Sequence, residues 1–223
     1  MKAKQPGKRS YDDGCGAAHA LDLVGERWAL LIVRELLLGP KRFTDLRAGL
    51  PAISPNVLTQ RLEELERAGV LHRRKLLPPA GAWVYELTEW GLDLEPVIMA
   101  LGRWGARSPY HPTEAPLSAD ALIISFRTMF DSRAAAGVDA SIELRLGEDR
   151  FHARIARGRL EITRGTPSNA DAVIETDTET LVKLVYGGGK LTAASRAGHI
   201  HIEGDKSAVQ RFLGLFPKPA KRI

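Results

Sequence analysis

The stretch "ISPNVLTQRLEELERAGVLHRRK", residues 53–75, decides the fold of the first half of the chain. Ser54 is a residue type that caps a helix N-terminus, and Pro55 suits the first helical turn, where no backbone donor is needed. Leucines then repeat at helical spacing and predict a buried stripe, and Gly69 predicts the end of the helix. The members of this stripe are Leu58, Leu62 and Leu65.

Amide side chains point away from this stripe near the start of the predicted helix. They belong to Asn56 and Gln60. Helices that enter the major groove of DNA present such side chains, because an amide pairs with adenine through two hydrogen bonds. We therefore weigh a DNA-reading helix against an ordinary surface helix with a basic tail, and the neighbouring segments decide between them.

The composition is that of an ordinary globular protein with one large or two small domains. The chain has 223 residues, of which 44% are hydrophobic, and its net charge of +5 is compatible with a polyanionic partner. No apolar run reaches membrane-spanning length and residues 1–14 lack the apolar segment of a secretory signal, so we expect a cytoplasmic protein with no membrane partner. Cys15 is the only cysteine, which excludes an intrachain disulfide and a cysteine-rich zinc site.

The segments around the quoted stretch predict a winged helix-turn-helix. Three helices precede it, the second of them running from Arg27 to Leu38, and a hairpin and a final helix follow it. The predicted organisation is a disordered tail (1–11), a winged helix-turn-helix domain (12–108), a proline-rich linker (109–116), an α+β domain (117–217) and a basic tail (218–223).

The second half changes in character, because several segments alternate apolar and polar residues as half-buried strands do. We predict one antiparallel-rich sheet covered by helices, the first of which, at 119–137, is amphipathic. The fold class is thus a mainly α winged helix domain followed by an α+β domain. Residues 187–192 are interpreted as a flexible turn, and His199 with His201 as a surface pair, so we expect no metal, no cofactor and no catalytic residues.

Four motifs in the first half carry a family resemblance: "ALDLVGERW" (20–28), "RFTDL" (42–46), "ISPNVLTQRLEELERAGVLHR" (53–73) and "YELT" (85–88). In this order and spacing they resemble the HxlR-type family of bacterial winged-helix transcriptional regulators, over roughly residues 12–108. The resemblance implies a homodimer, held by the first and last helices of this region, that binds an inverted repeat in double-stranded DNA. One departure is a wing slightly enlarged by "PPAGA".

The candidates for DNA contact fall into three groups. For base edges we expect contacts from Asn56, Thr59 and Gln60. For the phosphate backbone we expect them from Ser54, Arg61, Lys41 and Arg42. The wing strand adds Arg73, Arg74 and Lys75. For each basic residue taken singly, the alternative is a solvated surface.

Cys15 has two interpretations. Some members of the resembled family have a cysteine here and sense oxidants or electrophiles with it, and a helix N-terminus lowers the pKa of a thiol. The alternative is a small residue buried at a dimer contact. Asp12 and Asp13 precede it and would raise its pKa if they lay close to the sulfur.

The second half resembles the sterol carrier protein-like domain through "ADAVIETD" (170–177), "LVKLVYG" (181–187), "GKL" (189–191), "GHIHIEGD" (198–205) and "LFP" (215–217). The resemblance implies an apolar tunnel and a hydrophobic small-molecule ligand, although each lining residue is also explained as ordinary core. The candidate lining residues are Phe126, Met129, Phe130, Leu181, Leu184, Val185, Leu191, Phe212 and Phe216.

Together these features predict a transcriptional regulator, a repressor, controlled by a hydrophobic ligand or by oxidation of Cys15. One alternative is a lipid carrier whose winged helix serves dimerisation, which predicts weak DNA binding without sequence preference. A second is an enzyme built on the sterol carrier-like domain, for which the sequence offers no acid–base set and no nucleophile.

Overall fold

The computed structural model describes residues 10–221, which form two compact units. The first unit extends to Leu94 and the second begins at Glu95. The first is the predicted mainly α winged helix and the second an α+β arrangement, which confirms the predicted fold class. Within residues 10–221, no helix is long and apolar enough to cross a membrane.

The predicted N-terminal tail falls largely outside the described residues, as do the last two residues of the predicted basic tail. Of the tail at 1–11, only Ser10 and Tyr11 are described, and both donate hydrogen bonds to the carboxylate of Asp22, at 3.0 and 3.1 Å. Residues 222 and 223 of the basic tail are not described.

Four helices open the first unit and build its core. They are α1 (Gly16–Val24), α2 (Ala29–Leu36), α3 (Phe43–Gly49) and α4 (Pro55–Arg67). The predicted stripe of α4 is confirmed, because its three leucines are all buried, and they pack in a core with Ile32, Leu36 and Leu46. The opposite face of α4 is therefore turned outward.

Helix α2 begins later than the sequence predicts. Its predicted start is Arg27, but its first helical residue is Ala29. Trp28 precedes it with a φ of 80°, in the left-handed region, and so interrupts the chain between α1 and α2. The apolar pattern of this segment predicted the helix but not this local backbone conformation.

An antiparallel hairpin follows α4 and forms the wing. Strand β1 (Leu71–Lys75) pairs with β2 (Trp83–Leu87), with Arg73 opposite Tyr85 and Lys75 opposite Trp83. The predicted end of α4 at Gly69 is confirmed, since this residue has a φ of 74°. A short helix, α5 (Glu89–Leu92), completes the unit.

Two helices open the second unit. They are α6 (Glu95–Gly105) and α7 (Ala119–Met129), and they are joined by an ion pair of 2.6 Å between Glu95 and Arg127. The sequence assigned α6 to the winged helix domain, with the linker after it. In the structure α6 contacts α7 and is grouped with the second unit, and the predicted boundary at residue 108 stays a prediction.

One five-stranded sheet forms the rest of this unit, with the order β5-β4-β3-β6-β7 and only the β3–β6 pair parallel. The strands are β3 (Ala140–Leu146), β4 (Asp149–Ala156), β5 (Arg159–Arg164), β6 (Ala172–Thr176) and β7 (Ile200–Gly204). The remaining helices are α8 (Thr178–Tyr186), α9 (Leu191–Arg196) and α10 (Lys206–Leu213). Helix α9 contains part of the segment predicted as a turn, 187–192.

Helix α7 differs from the amphipathic helix that the sequence predicts. Polar as well as apolar positions are covered, including Asp120 and Thr128 at 2% and 3% exposure. The helix also ends at Met129 rather than continuing to 137. It is thus an internal helix, and its buried polar groups find partners, as Asp120 does in Arg164.

Candidate nucleic-acid interface

Helix α4 is held in place from its first turn. Ser54 caps the helix, as predicted, with its hydroxyl accepting a hydrogen bond of 3.4 Å from the Val57 N–H, and Pro55 takes the first helical position. The Ser54 hydroxyl therefore has a structural role as the helix cap, and its predicted contact with phosphate stays a prediction.

The outward face of α4 presents the three predicted base-contact residues. Asn56, Thr59 and Gln60 are all exposed. The Thr59 hydroxyl donates to the Pro55 carbonyl at 3.1 Å, and the Gln60 amide donates to Glu64 at 3.0 Å, so both side chains have a defined orientation. The structure therefore brings together polar side chains of the kind that hydrogen-bond base edges.

Arg61, for which a phosphate contact is predicted, is bound mainly to groups of the protein itself. Its side chain is 13% exposed, and its guanidinium contacts Glu64, Glu26 at 3.1 Å and the carbonyl of Arg27 at 3.2 Å. These bonds tie α4 to the turn between α1 and α2. Arg61 thus anchors α4 within the fold, because its charge is already matched by two carboxylates.

Lys41 is also engaged inside the fold. Its ammonium lies 3.0 Å from Glu35, whose side chain is fully buried and also pairs with Arg34 at 2.9 Å. A buried carboxylate needs such partners, since an unpaired charge is very costly to remove from water. Arg42, by contrast, is exposed at the N-terminus of α3.

The predicted wing residues separate into two kinds. Arg74 pairs with Glu86, which raises the pKa of Arg74 and lowers the pKa of the Glu86 carboxyl. Arg73 and Lys75 are exposed, and the guanidinium of Arg73 lies 4.6 Å from the ring centre of Trp83. The stacking of Arg73 was not predicted, although the hairpin register places both residues on one face.

Cys15 lies exposed at the N-terminus of α1. The backbone N–H groups of Ala17 and Ala18 lower the pKa of its thiol. Asp13 accepts a hydrogen bond of 2.9 Å from the Cys15 N–H, yet the pKa is lowered and not raised. The thiol is therefore accessible and inclined toward the thiolate.

Four of the nine predicted tunnel residues lie in the core of the second unit. Phe126, Leu181, Phe212 and Phe216 are almost completely buried, and the rings of Phe126 and Phe216 stack with centres 4.4 Å apart. The other five are half-buried: Met129, Phe130, Leu184, Val185 and Leu191.

A cavity of about 300 Å³ lies elsewhere, between α6, α7 and β5, and of the predicted lining only Phe130 reaches it. It is bounded by Glu95, Met99, Arg127, Phe130, Leu160, Glu161 and Ile162. No group of three or more potential metal ligands occurs within residues 10–221.

The arrangement of α2 to α4 with the hairpin defines a winged helix-turn-helix, the class of DNA-binding proteins that read bases with a helix and flank it with a wing. Residues 23–112 match the family described as HxlR-like helix-turn-helix. The chain is 42% identical over 102 residues to the HTH-type transcriptional regulator YdeP of Bacillus subtilis, covering 44% of this chain and 78% of that protein. The chain belongs to the HxlR-like helix-turn-helix family.

Other matches concern regulators of the same kind. YodB of B. subtilis is 38% identical over 85 residues, which is 38% of this chain and 76% of YodB. Among solved structures, the redox regulator HypR in its oxidised form shares 34% identity, with a TM-score of 0.38, over 41% of this chain and 94% of its own. Quinone-bound YodB shares 35%, with a TM-score of 0.35, over 40% and 92%.

The second half matches a different description. Residues 115–222 match the family described as the alkyl sulfatase C-terminal domain. This match does not test the predicted resemblance to the sterol carrier protein-like domain, which stays a prediction.

Proposed function

We propose that this protein is a transcriptional repressor that binds an inverted-repeat operator as a homodimer and has no catalytic role. The observation that carries the proposal is the outward face of α4, where Asn56, Thr59 and Gln60 are exposed while the leucines behind them are buried. Arg42, just before α3, and the exposed wing residues Arg73 and Lys75 supply the positive charge that phosphates require.

Exposed apolar side chains support the homodimer. On α6, Val97, Leu101 and Trp104 are 47%, 48% and 74% exposed and recur at helical spacing. On α1, Leu21 is 50% exposed. A second copy of the chain would cover such a stripe, and a two-fold axis matches the symmetry of an inverted repeat.

Fluorescence anisotropy tests the reading helix. The protein is titrated with a duplex from its own promoter region and with a scrambled duplex across a salt series. Specific complexes are about 10³-fold or more tighter than non-specific ones, so a clear preference is expected. Gln60→Ala should lower the preference for the promoter duplex. Gln210→Ala, which truncates an exposed glutamine of α10, should leave this preference unchanged. Equal, weak binding to both duplexes would favour the lipid-carrier alternative and prompt random-site selection.

A hydrophobic effector is a second part of the proposal. We propose that residues 117–217 form a sterol carrier protein-like domain whose ligand alters operator affinity, which requires unequal affinity for two states of the dimer. The cavity beside Phe130 supports it. A fatty acid, a sterol or an aromatic compound is expected to change both the melting temperature and DNA affinity. If none does, the domain is a dimerisation or partner module.

Oxidation of Cys15 is a separate candidate for control. Its exposure and its lowered thiol pKa favour reaction with oxidants and electrophiles. Diamide is expected to release wild-type protein from DNA but to leave Cys15→Ser bound. Unchanged wild-type binding under diamide would exclude this control.

A further inference from the structure

The tip of the wing carries an apolar surface that neither the core nor the proposed base contacts use. Residues 76–83, "LLPPAGAW", contain no charged side chain. Leu77 is 84% exposed and Trp83 is 51% exposed. Exposed apolar surface is a feature of interaction sites.

This tip has a defined shape. The Leu76 N–H donates to the Ala82 carbonyl at 2.8 Å, and the Gly81 N–H donates to the Leu77 carbonyl at 3.4 Å. Gly81 has a φ of 56°, in the left-handed region that favours glycine. Because the loop is closed by its own bonds, little conformational entropy is lost when Leu77 enters a partner.

The base of the wing indicates which partner this is. Between residues 71 and 87 the hairpin has two arginines and one lysine against a single glutamate. Arg73 and Lys75 are exposed on β1, directly below the apolar tip, and Arg73 is braced on Trp83. A positive collar around an uncharged tip fits duplex DNA, where phosphates border a groove whose floor exposes the edges of stacked bases.

We propose that Leu77 is a wedge that enters the minor groove beside each half-site and partly unstacks one base step. This inference rests on the proposed DNA-binding function and adds a reading mode to it. Pyrimidine–purine steps such as TA and CA are the easiest to unstack, so the wing selects deformable sequence at positions that α4 does not touch.

The experiment uses a duplex that the wild-type full chain selects from a random-sequence pool. Single adenines from the half-site to the flank are replaced by 2-aminopurine, whose fluorescence rises when its base is unstacked. Wild-type protein is compared with Leu77→Ser and with Leu77→Met, which keeps an apolar side chain of similar size. Lys75→Ala reports on the phosphate contacts of the same hairpin.

The expected result is a fluorescence increase at one flanking position with wild-type protein and Leu77→Met but not with Leu77→Ser. Leu77→Ser should weaken binding about tenfold on a duplex with a flanking TA step, an effect within the range for burying a leucine side chain. It should leave the slope of affinity against salt unchanged, whereas Lys75→Ala should reduce that slope by about one.

Two outcomes overturn the inference, and they are distinguishable. If the wild-type chain selects a duplex and Leu77→Ser binds and unstacks it equally, the wedge is wrong and the tip serves a protein partner instead, while the proposed function stands. If the wild-type chain selects no sequence at all, the proposed function fails and the wedge fails with it. Circular dichroism of Leu77→Ser confirms that the variant is folded.

Discussion

Gly49 lies directly against the buried carboxylate of Glu35, so that Oε2 of Glu35 occupies the space that a Cβ at position 49 would need. The last residue of α3 is therefore fitted to the ion pair that Glu35 makes with Lys41. This contact joins α2, which contains Glu35, to the end of α3. It explains why position 49 holds a residue without a side chain.

Gly49→Ala should consequently destabilise the first unit. The added methyl group forces the Glu35 carboxylate away from its partners, and we expect the free energy of unfolding to fall by about 1–3 kcal/mol, as overpacking usually costs. Urea denaturation measures it. Gly16→Ala is the control, because a Cβ there meets nothing within 4 Å, and its effect should stay below about 1 kcal/mol. Equal effects of the two substitutions would contradict the close fit.

Arg61→Ala should act on stability and not on the phosphate contacts. Losing the bonds to Glu26 and Glu64 is expected to lower the free energy of unfolding by about 1–2 kcal/mol, since the pair with Glu26 is partly exposed. The slope of DNA affinity against salt should equal that of the wild type under conditions where the variant is folded. Arg67→Ala, which removes an exposed arginine from the same helix, should have little effect on stability. If Arg61→Ala lowered the slope of DNA affinity against salt and left stability unchanged, Arg61 would be a phosphate contact after all.

The pair between Glu86 and Arg74 should make the wing sensitive to acid. The hydrogen bond from Arg74 lowers the pKa of the Glu86 carboxyl, so this pair stabilises the folded state at neutral pH, and its contribution is lost as the pH falls through that lowered pKa. Glu86→Gln should therefore be less stable than the wild type at pH 7, and the difference should shrink toward pH 3. Urea midpoints across this range measure the effect, and a difference that grows on acidification would show the opposite linkage.

Tyr186 should respond to alkali. Burial raises the pKa of its phenol to about 12, with the hydrogen bond between the phenol and the Ser125 hydroxyl, 2.8 Å apart, acting in the other direction. A raised pKa means that stability is intact below the unfolded value of about 10 and falls as the pH rises from there toward 12. The difference in absorbance at 295 nm between the wild type and Tyr186→Phe isolates this phenol, and it should develop above pH 10, toward pH 12. A difference that is complete near pH 10 in the folded protein would refute the burial argument.

The limits of α4 were predictable because their signals are local. Ser54 and Pro55 at its start and Gly69 at its end act on the backbone within one turn, and the leucine spacing fixes its buried face. The outward position of Gln60 followed from the same geometry. The sequence therefore predicted the candidate reading surface wherever the relevant interaction lies within one helix.

The roles of the basic residues were less predictable, because they depend on partners from other elements. Arg61 meets Glu26, which is 35 positions away in the chain, and no spacing rule connects the two. Its contact with Glu64, three residues on, was readable from helical periodicity. The role of Lys41 likewise depends on the burial of its partner Glu35, and this burial is visible only in the packed structure.

The second unit shows the same division. Alternation of apolar and polar residues predicts the strands of the sheet, whereas α7 departs from the predicted amphipathic helix because its polar residues are not on an exposed face. Asp120 is polar and nevertheless buried, since Arg164 of β5 reaches it. Helix α9 spans only six residues, too few for periodicity to separate it from a turn.

The backbone of Lys41 pairs with that of Tyr85 through two hydrogen bonds, of 3.0 and 2.8 Å, just before α3 and within β2. The helix-turn-helix and the wing are thereby joined by main-chain hydrogen bonds, which substitutions other than proline at these two positions leave in place. On the proposed operator, the helix-turn-helix and the wing would therefore contact the DNA at a fixed distance from each other. One extra base pair between half-site and flank lengthens the corresponding distance on the DNA by about 3.4 Å. Because the main-chain link holds the helix-turn-helix and the wing together, we expect the protein to adjust poorly to this change.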